Sequence, residues 1–286
     1  MDTEILKSFV VLAESDSVSQ AARKLYIAQS ALSNRLKALE KECGATLIER
    51  DYHNFKLTAC GRQFYERALK IVELTDCAVE EIRSAVTGAG GTLTLAATPS
   101  LATGVLRDLI KRYRREYPAV TLRTFEGATP HVLHRLDEGL CDVAFVRSPF
   151  TTNPAYSVHT VYRDKMKVLS AEPLPQVMGF EELFKYPLIL THRYASMLER
   201  IARRLGTELD SPVQCEEIAT CVAFAESGLG LTMVPESGYR IQAEHGSKLY
   251  SAALLSDECD TTCDVVVVKN RRLSLAATNF LALINN

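Results

Sequence analysis

Two short stretches of this 286-residue chain hold residue types suited to binding. The first is Gln29-Ser-Ala-Leu-Ser-Asn-Arg-Leu-Lys37. Here Leu32, Leu36 and the following Leu39 fall on one side of a helix, while Gln29, Ser30, Ser33, Asn34 and Lys37 share the other. Amide, hydroxyl and ammonium groups on one helix face are the donors and acceptors that base edges and phosphates require. No acidic residue stands between Asp16 and Glu40, and Arg23, Lys24, Arg35 and Lys37 make that span basic although the whole chain has a formal charge of −2. The second stretch is a pair of Thr-Pro dipeptides, Thr98-Pro99 and Thr129-Pro130, each following a β-rich run and opening a helical pattern. Helix starts at strand ends aim backbone N–H groups at a ligand. Thr98, Ser100, Leu101, Thr129 and His131, with Arg147 at another strand end, therefore point to a small anion, foremost a carboxylate. A solvated helix face explains the first stretch almost as well, and ordinary capping explains each threonine taken singly.

The elements that must hold the first stretch can be read around it. Thr3 to Glu14 is a short amphipathic helix with Ile5, Leu6, Phe9, Val10 and Ala13 on its apolar face. Ser17-Val-Ser-Gln20 is a capping box, and a new helix starts at Ile27 to Gln29 and ends at Gly44, so the two make a helix-turn-helix. Ala45–Glu49 and Phe55–Leu57 read as strands around a loop, a wing whose Arg50, His53 and Lys56 suit a DNA backbone or minor groove. From Thr58 to Val86 runs a helix without proline. Phe64, Ala68, Ile71, Thr75, Ala78, Ile82 and Ala85 recur on it in steps of four and three, the seam of a coiled coil and a dimer contact. A second stripe, Tyr65, Leu69, Val72 and Val79, suits packing on the helix's own domain.

After Gly88–Gly91 strands and helices alternate. Thr92–Ala97, Val120–Phe125 and Asp142–Val146 are strands, and the helices between them open at the Thr-Pro pairs, which predicts a parallel α/β layer. The same grammar returns with strands at Lys165–Ser170, Pro187–Leu190 and Leu231–Val234 and helices around Leu198–Leu205 and Glu217–Ser227, a second α/β subdomain.

Phe9, the Ser17–Leu25 run with its Ala21-Ala22, Gln29-Ser-Ala-Leu-Ser33, Leu39-Glu40, Gly44, Leu47-Ile-Glu-Arg50 and Leu57-Thr-Ala-Cys-Gly61 together resemble the LysR-type transcriptional regulators. Ser30 and Cys60 depart from that pattern, which commonly has proline and an acidic residue there. Tyr117-Pro118, Gly139-Leu-Cys-Asp142, Gly228-Leu-Gly230 and Val234-Pro235 extend the resemblance more loosely. It implies a winged helix-turn-helix (1–58), a linker helix for dimerisation (59–88) and an effector-binding domain (89–286) of type-2 periplasmic-binding-protein-like architecture. Subdomain I would then be 89–163 with 266–286, and subdomain II 164–265. It further implies a homodimer or dimer of dimers on inverted repeats of double-stranded DNA, with RNA polymerase as a further partner. An inducer would sit in the cleft between subdomains, faced from the second by Thr191, His192 and Glu217. Gln29, Ser30, Ser33 and Asn34 would read bases, with Arg35, Lys37, Arg50 and Lys56 anchoring phosphates.

Other classes fit less well. The chain is 47% hydrophobic and 24% charged, ordinary for a folded protein and unlike a disordered one. The acidic start, Met1-Asp-Thr-Glu4, is unlike a secretory leader, and no stretch is apolar enough to span lipid, so a cytoplasmic protein without a membrane partner is expected. That expectation, and the first ninety residues, speak against a solute-binding protein using the same α/β cleft. No GxSxG, GxxxxGK[ST], HExxH or GxGxxG signature occurs, so neither an enzyme nor a cofactor is expected. The eight cysteines lack CxxC spacing. Cys215 and Cys221 resemble the paired thiols of redox-sensing members of the family, but with Cys221 inside a helix they would bridge only if the helix start unfolded. Neither Cys259 with Cys263 nor His131, His134 and Glu138 reaches a recognised metal-ligand set.

Overall fold

The computed structural model describes residues 2–51, 54–87, 90–244 and 246–284. The chain forms two units, one of Met1–Gly91 with Glu138–Leu140 and one of Thr92–Asp137 with Cys141–Asn286.

The first unit contains α1 (Thr3–Ala13), α2 (Val18–Lys24), α3 (Gln29–Cys43), β1 (Ile48–Asp51), β2 (Asn54–Leu57) and α4 (Ala59–Thr87). Ser17 caps α2, the Gln20 N–H donating to its Oγ at 3.2 Å, while the return bond of the box shifts by one residue, Gln20 Oε1 accepting from the Asp16 N–H at 2.7 Å. In the turn between α2 and α3, Tyr26 takes a positive φ of 54° with its side chain 96% exposed. Gly44 ends α3 in the left-handed conformation. Leu32, Leu36 and Leu39 are buried beside Leu6, Phe9 and Leu47, as the helical spacing predicts. Glu40 reaches from α3 to accept the Leu47 N–H at 2.8 Å, anchoring the base of the β1–β2 hairpin. Gly61 packs so close to this hairpin that a Cβ there would lie 2.0 Å from the Leu47 carbonyl oxygen, which explains the glycine in the Leu57–Gly61 motif.

The second unit runs β3 (Thr92–Ala97), α5 (Pro99–Leu101), a π turn (Ala102–Leu106), α6 (Arg107–Glu116), β4 (Thr121–Glu126), α7 (Thr129–Asp137), β5 (Val143–Arg147) and β6 (Tyr156–Asp164). It continues with β7 (Met166–Ser170), β8 (Val177–Met178), α8 (Phe180–Leu183), β9 (Leu188–Thr191), α9 (His192–Leu205) and β10 (Val213–Cys215). Last come α10 (Ile218–Glu226), β11 (Leu231–Pro235), α11 (Glu236–Glu244), β12 (Tyr250–Leu254), β13 (Thr261–Val268) and α12 (Leu275–Ile284). Two sheets result, ordered β4-β3-β5-β13-β6 and β10-β9-β11-β7-β12-β8.

Neither sheet is purely parallel, against the expectation. β13 pairs antiparallel with both β5 and β6, and β7 pairs antiparallel with β11 and β12. β6 is largely exposed and polar, so its sequence carries little strand signal. The helix expected from Pro99 through Tyr113 is interrupted at Gly104, whose φ of −99° and ψ of −108° are not helical. A Cβ at Gly104 would lie 2.9 Å from Ile241 Cδ1 on α11.

In each sheet the chain leaves one strand, adds a neighbour on one side and returns to the other side. β3 lies between β4 and β5, and β9 between β10 and β11. A crevice opens at the carboxyl ends of strands at such switch points. Thr98 follows β3 and Thr191 ends β9.

Candidate nucleic-acid interface and ligand cavity

On α3, Gln29, Ser30, Asn34 and Lys37 are exposed and Ser33 half-buried, a continuous polar face opposite the three buried leucines. Gln29 Oε1 accepts from Ser19 Oγ at 3.2 Å, which holds the amide near the start of the helix. Lys56 is exposed on β2. Arg35 departs from its expected role: it is half-buried and donates to Ser8 Oγ on α1 at 2.7 Å, which turns the guanidinium toward the unit's own core. Arg50 lies on β1, with its side chain outside the described residues, and His53 lies outside them altogether.

The seam of α4 splits in two. Phe64 and Ala68, expected at a dimer contact, pack instead on their own unit: Ala68 is fully buried in its core and Phe64 stacks edge-on against Phe9 at 5.3 Å. Tyr65, Leu69 and Val72 join that core from the second stripe. Farther along, the helix runs on beyond the core of that unit, which reaches no further than Val72. Ile71, Leu74, Val79 and Ile82 are exposed, Ile82 to 67%, and Ala78 with them. The side chain of Ala85 lies outside the described residues.

At the carboxyl ends of the strands in the second unit lies a cavity of about 790 Å³. Of the residues expected there, Thr98, Ser100, Thr129, Arg147, Thr191, His192 and Glu217 line it. Leu101 does not, because it turns inward and is fully buried in the core of the first sheet. His131 does not either: two residues on from Thr129 it points some 200° around α7, away from the face that lines the cavity. Thr98 occupies an N-cap position but makes no capping bond, and its buried hydroxyl has no hydrogen-bond partner. α9 and α10 begin on the cavity, and neither of their N-cap side chains, Thr191 and Glu217, caps the helix. Their first N–H groups are thus left for a ligand or solvent.

The charge of the cavity comes from a different arginine than expected. Arg147, 3% exposed, pairs with Asp164 at 2.9 Å. It also donates to Ser237 Oγ at 2.7 Å and to Ser100 Oγ at 3.3 Å. Asp164 in turn accepts the Ser237 N–H at 3.0 Å and the Ser237 hydroxyl. The guanidinium is consumed in a buried network joining β5, β6, α5 and α11. Arg193, in the first turn of α9, lines the cavity and, among the described residues, donates to the carbonyls of Arg147 and Pro149, both at 2.9 Å. Burial holds its pKa below the ordinary arginine range. A cation in the first turn opposes the helix dipole, a signal that becomes legible only once the helix is known to start at His192.

Acidic groups stand beside this helix start, where β10 ends next to β9. His192 Nδ1 faces Gln214 Oε1 at 3.1 Å and its Nε2 faces Glu216 at 3.6 Å. Burial, then the charges of Glu216 and Glu126, raises the Glu217 carboxyl above the usual glutamate range. Cys215 and Cys221 are both buried. Both thiols are free and belong to one buried apolar cluster with Val222, Ala225 and Val234. Burial first, then Cys215, pushes the Cys221 thiol up to about 12. Among the described residues there is no group of three or more His, Cys, Asp or Glu that could hold a metal, and no helix long and apolar enough to cross a membrane.

Residues 3–62 match the family "Bacterial regulatory helix-turn-helix protein, lysR family", and residues 87–286 match "LysR substrate binding domain". The chain is similar to the HTH-type transcriptional regulator BudR of Raoultella terrigena, 29% identical over 248 residues that cover 83% of this chain and 85% of that one. It is also similar to the probable hydrogen peroxide-inducible genes activator of Mycobacterium leprae, 29% identical over 247 residues, 83% of this chain and 79% of that one. Full-length CbnR complexed with its target DNA shares the fold, with a TM-score of 0.83 and 21% identity over 100% of this chain and 99% of that one. With both halves of the chain matched, it belongs to the LysR family of DNA-binding transcriptional regulators and is not an enzyme.

Proposed function

We propose that this regulator binds inverted repeats in promoter DNA as a homodimer or dimer of dimers, under the control of a small carboxylate held in the cavity of its second unit. The observation that carries the reading is the cavity itself: two uncapped helix N-termini, the unpartnered Thr98 hydroxyl and the carbonyl-held Arg193 all border one space. Backbone N–H groups, helix dipoles and a guanidinium without a carboxylate partner favour an anion. The domains are 1–58, 59–88 and 89–286, with the cavity between subdomains 89–163/266–286 and 164–265. Gln29, Ser30, Ser33 and Asn34 read bases while Lys37, Lys56 and Arg50 hold phosphates. Ile71, Ala78 and Ile82 of the free half of α4 form the dimer seam. Effector binding shifts the population of dimer arrangements and so the spacing of the DNA heads. The protein works in the cytoplasm, with RNA polymerase as a further partner and no cofactor.

The test is footprinting on the DNA upstream of the protein's own gene, at several salt concentrations and against random competitor. A short protected inverted repeat, altered in extent when a carboxylate that raises the melting temperature is added, is the expected result. Random-DNA affinity alone, there and in a selection from genome fragments, would refute the promoter reading.

A cysteine switch is the second reading, favoured by the placing of Cys215 and Cys221 in one buried cluster. The raised pKa of Cys221 argues against it, because a thiol protonated at neutral pH reacts slowly with peroxide. Intact-mass measurement after peroxide treatment decides: loss of two hydrogens at this pair supports a switch, and an unchanged mass excludes it.

A further inference from the structure

The cavity is longer than a small carboxylate needs. Thr129, Pro130, Leu133, His134 and Asp137 of α7 all line it, so a whole face of that helix forms one wall. From Thr129 to Asp137 that wall is about 12 Å long at the rise of an α-helix. The segment after β5, residues 149–154, also lines the cavity, apolar at Pro149, Phe150 and Pro154 and polar between them, with Tyr156 at the start of β6. The groups suited to an anion, Thr98, Thr191 and Arg193, stand just before α5, at the end of β9 and at the start of α9, and apart from them Pro130, Leu133, Phe150 and Pro154 give the cavity its apolar surface. Toward the C-terminal end of α7 the wall closes on a polar contact, the Tyr156 hydroxyl donating to Asp137 Oδ2 at 2.8 Å. A volume of about 790 Å³ is in the range of pockets that enclose drug-sized ligands, well beyond a simple acid.

We infer that the effector is an elongated carboxylate whose anionic head sits at the starts of α9 and α10 and whose apolar body lies along α7 between Leu133 and Phe150. The inference rests on the carboxylate reading above and narrows it to a ligand class: an acid with an acyl or aryl extension, as opposed to a compact hydroxy acid or short diacid. Head and body are held by different chemistry. The head takes N–H donors and a cation, while each methylene of the body gains from burial alone, roughly fourfold in affinity.

The experiment is calorimetric titration of the full-length protein with acetate, butanoate, hexanoate and octanoate, and with octylamine as a probe of equal length and opposite charge. Affinity is expected to rise roughly fourfold per methylene through the series, with octylamine binding far more weakly than octanoate. Phe150→Asp is expected to flatten the rise with chain length and leave the shortest binders unchanged, while Arg193→Gln weakens every acid by a similar factor. If Phe150→Asp does not fold, Phe150→Ala should still make the slope shallower. Acids that bind with no dependence on length would overturn the elongated-ligand inference and leave the anion site standing. A slope unmoved by both Phe150 variants would overturn the placement along α7. No binding by any acid, or octylamine binding as well as octanoate, would overturn the anion reading itself and the inference with it.

Discussion

The outward face of α3 and the ligand cavity are both built from polar side chains around an apolar support, yet they assemble differently. The α3 face comes from one helix, and its residues keep the disposition their spacing gives them: Leu32, Leu36 and Leu39 inward, Gln29, Ser30, Asn34 and Lys37 outward. The cavity draws on the ends of two sheets and on α5, α7, α9 and α10. There, whether a side chain is offered to a ligand depends on what folds against it, and a buried arginine is as readily consumed by the protein as presented. Arg147 and Arg193 show both outcomes within one cavity wall. The lesson is that a helix face can be read from a line of sequence, whereas the charge of a composite cavity is a residue left over after internal pairing.

The sharpest way to break this contrast is Arg147→Ala. If the guanidinium serves the fold, its loss leaves Asp164, 5% exposed, as an unpaired buried carboxylate and costs about 3–5 kcal/mol of stability. Denaturant melts would show it. A variant of wild-type stability that has merely lost effector binding would instead return Arg147 to the ligand. Next in size is Gly61→Ala, which drives a methyl into the Leu47 carbonyl and should destabilise the first unit by about 1–3 kcal/mol. The melting of the second unit should stay in place, as differential scanning calorimetry can report.

On the α3 side, Gln29→Ala or Asn34→Ala should cost about 1–3 kcal/mol of discrimination between the protected site and random DNA. Lys56→Ala should weaken both alike and lower the salt dependence. Competition binding in a salt series would merge the two sets of residues if both classes lost affinity equally on every sequence. The smallest effect is expected at Glu217. Its pKa is raised on folding, so the ionised carboxylate opposes the fold, and stability is lost as pH rises from the ordinary carboxylate range through the raised value. Glu217→Gln should therefore melt slightly higher than wild type at neutral pH, with the gain vanishing below about pH 4. The same change should tighten carboxylate binding at neutral pH. A gain that persisted in acid would assign the effect to packing instead of charge.

Legibility in the sequence followed the same division. The cap at Ser17, the Gly44 stop and the leucine stripe of α3 act within a few residues of one another, and the structure realises each. Thr98 and Thr129 were legible too, because strand-then-helix grammar is local, whereas Thr191 came only with the family resemblance. What escaped depends on distant partners. The Arg147–Asp164 pair joins the ends of β5 and β6, which are separated by β13, a strand that begins only at Thr261. The start of α9 at His192 carries no capping residue that bonds, so the helix was expected only from Leu198. Phe64 and Ala68 satisfied two patterns at once, the coiled-coil seam and a domain-facing stripe, and spacing alone does not choose between them. The presence of Phe9 across from them does.

That division of α4 makes it a crankshaft. Its first half is locked to the DNA-reading unit by Phe64, Ala68 and Leu69, so the unit is keyed to the rotation of the helix axis. In a dimer joined through the free half, adding one residue between Glu73 and Ile82 would turn each head by about 100° and move it by only about 1.5 Å. Adding seven would nearly restore the phase, within about 20°. Angular phase, far more than length, would then decide which half-site spacing two such heads can engage together.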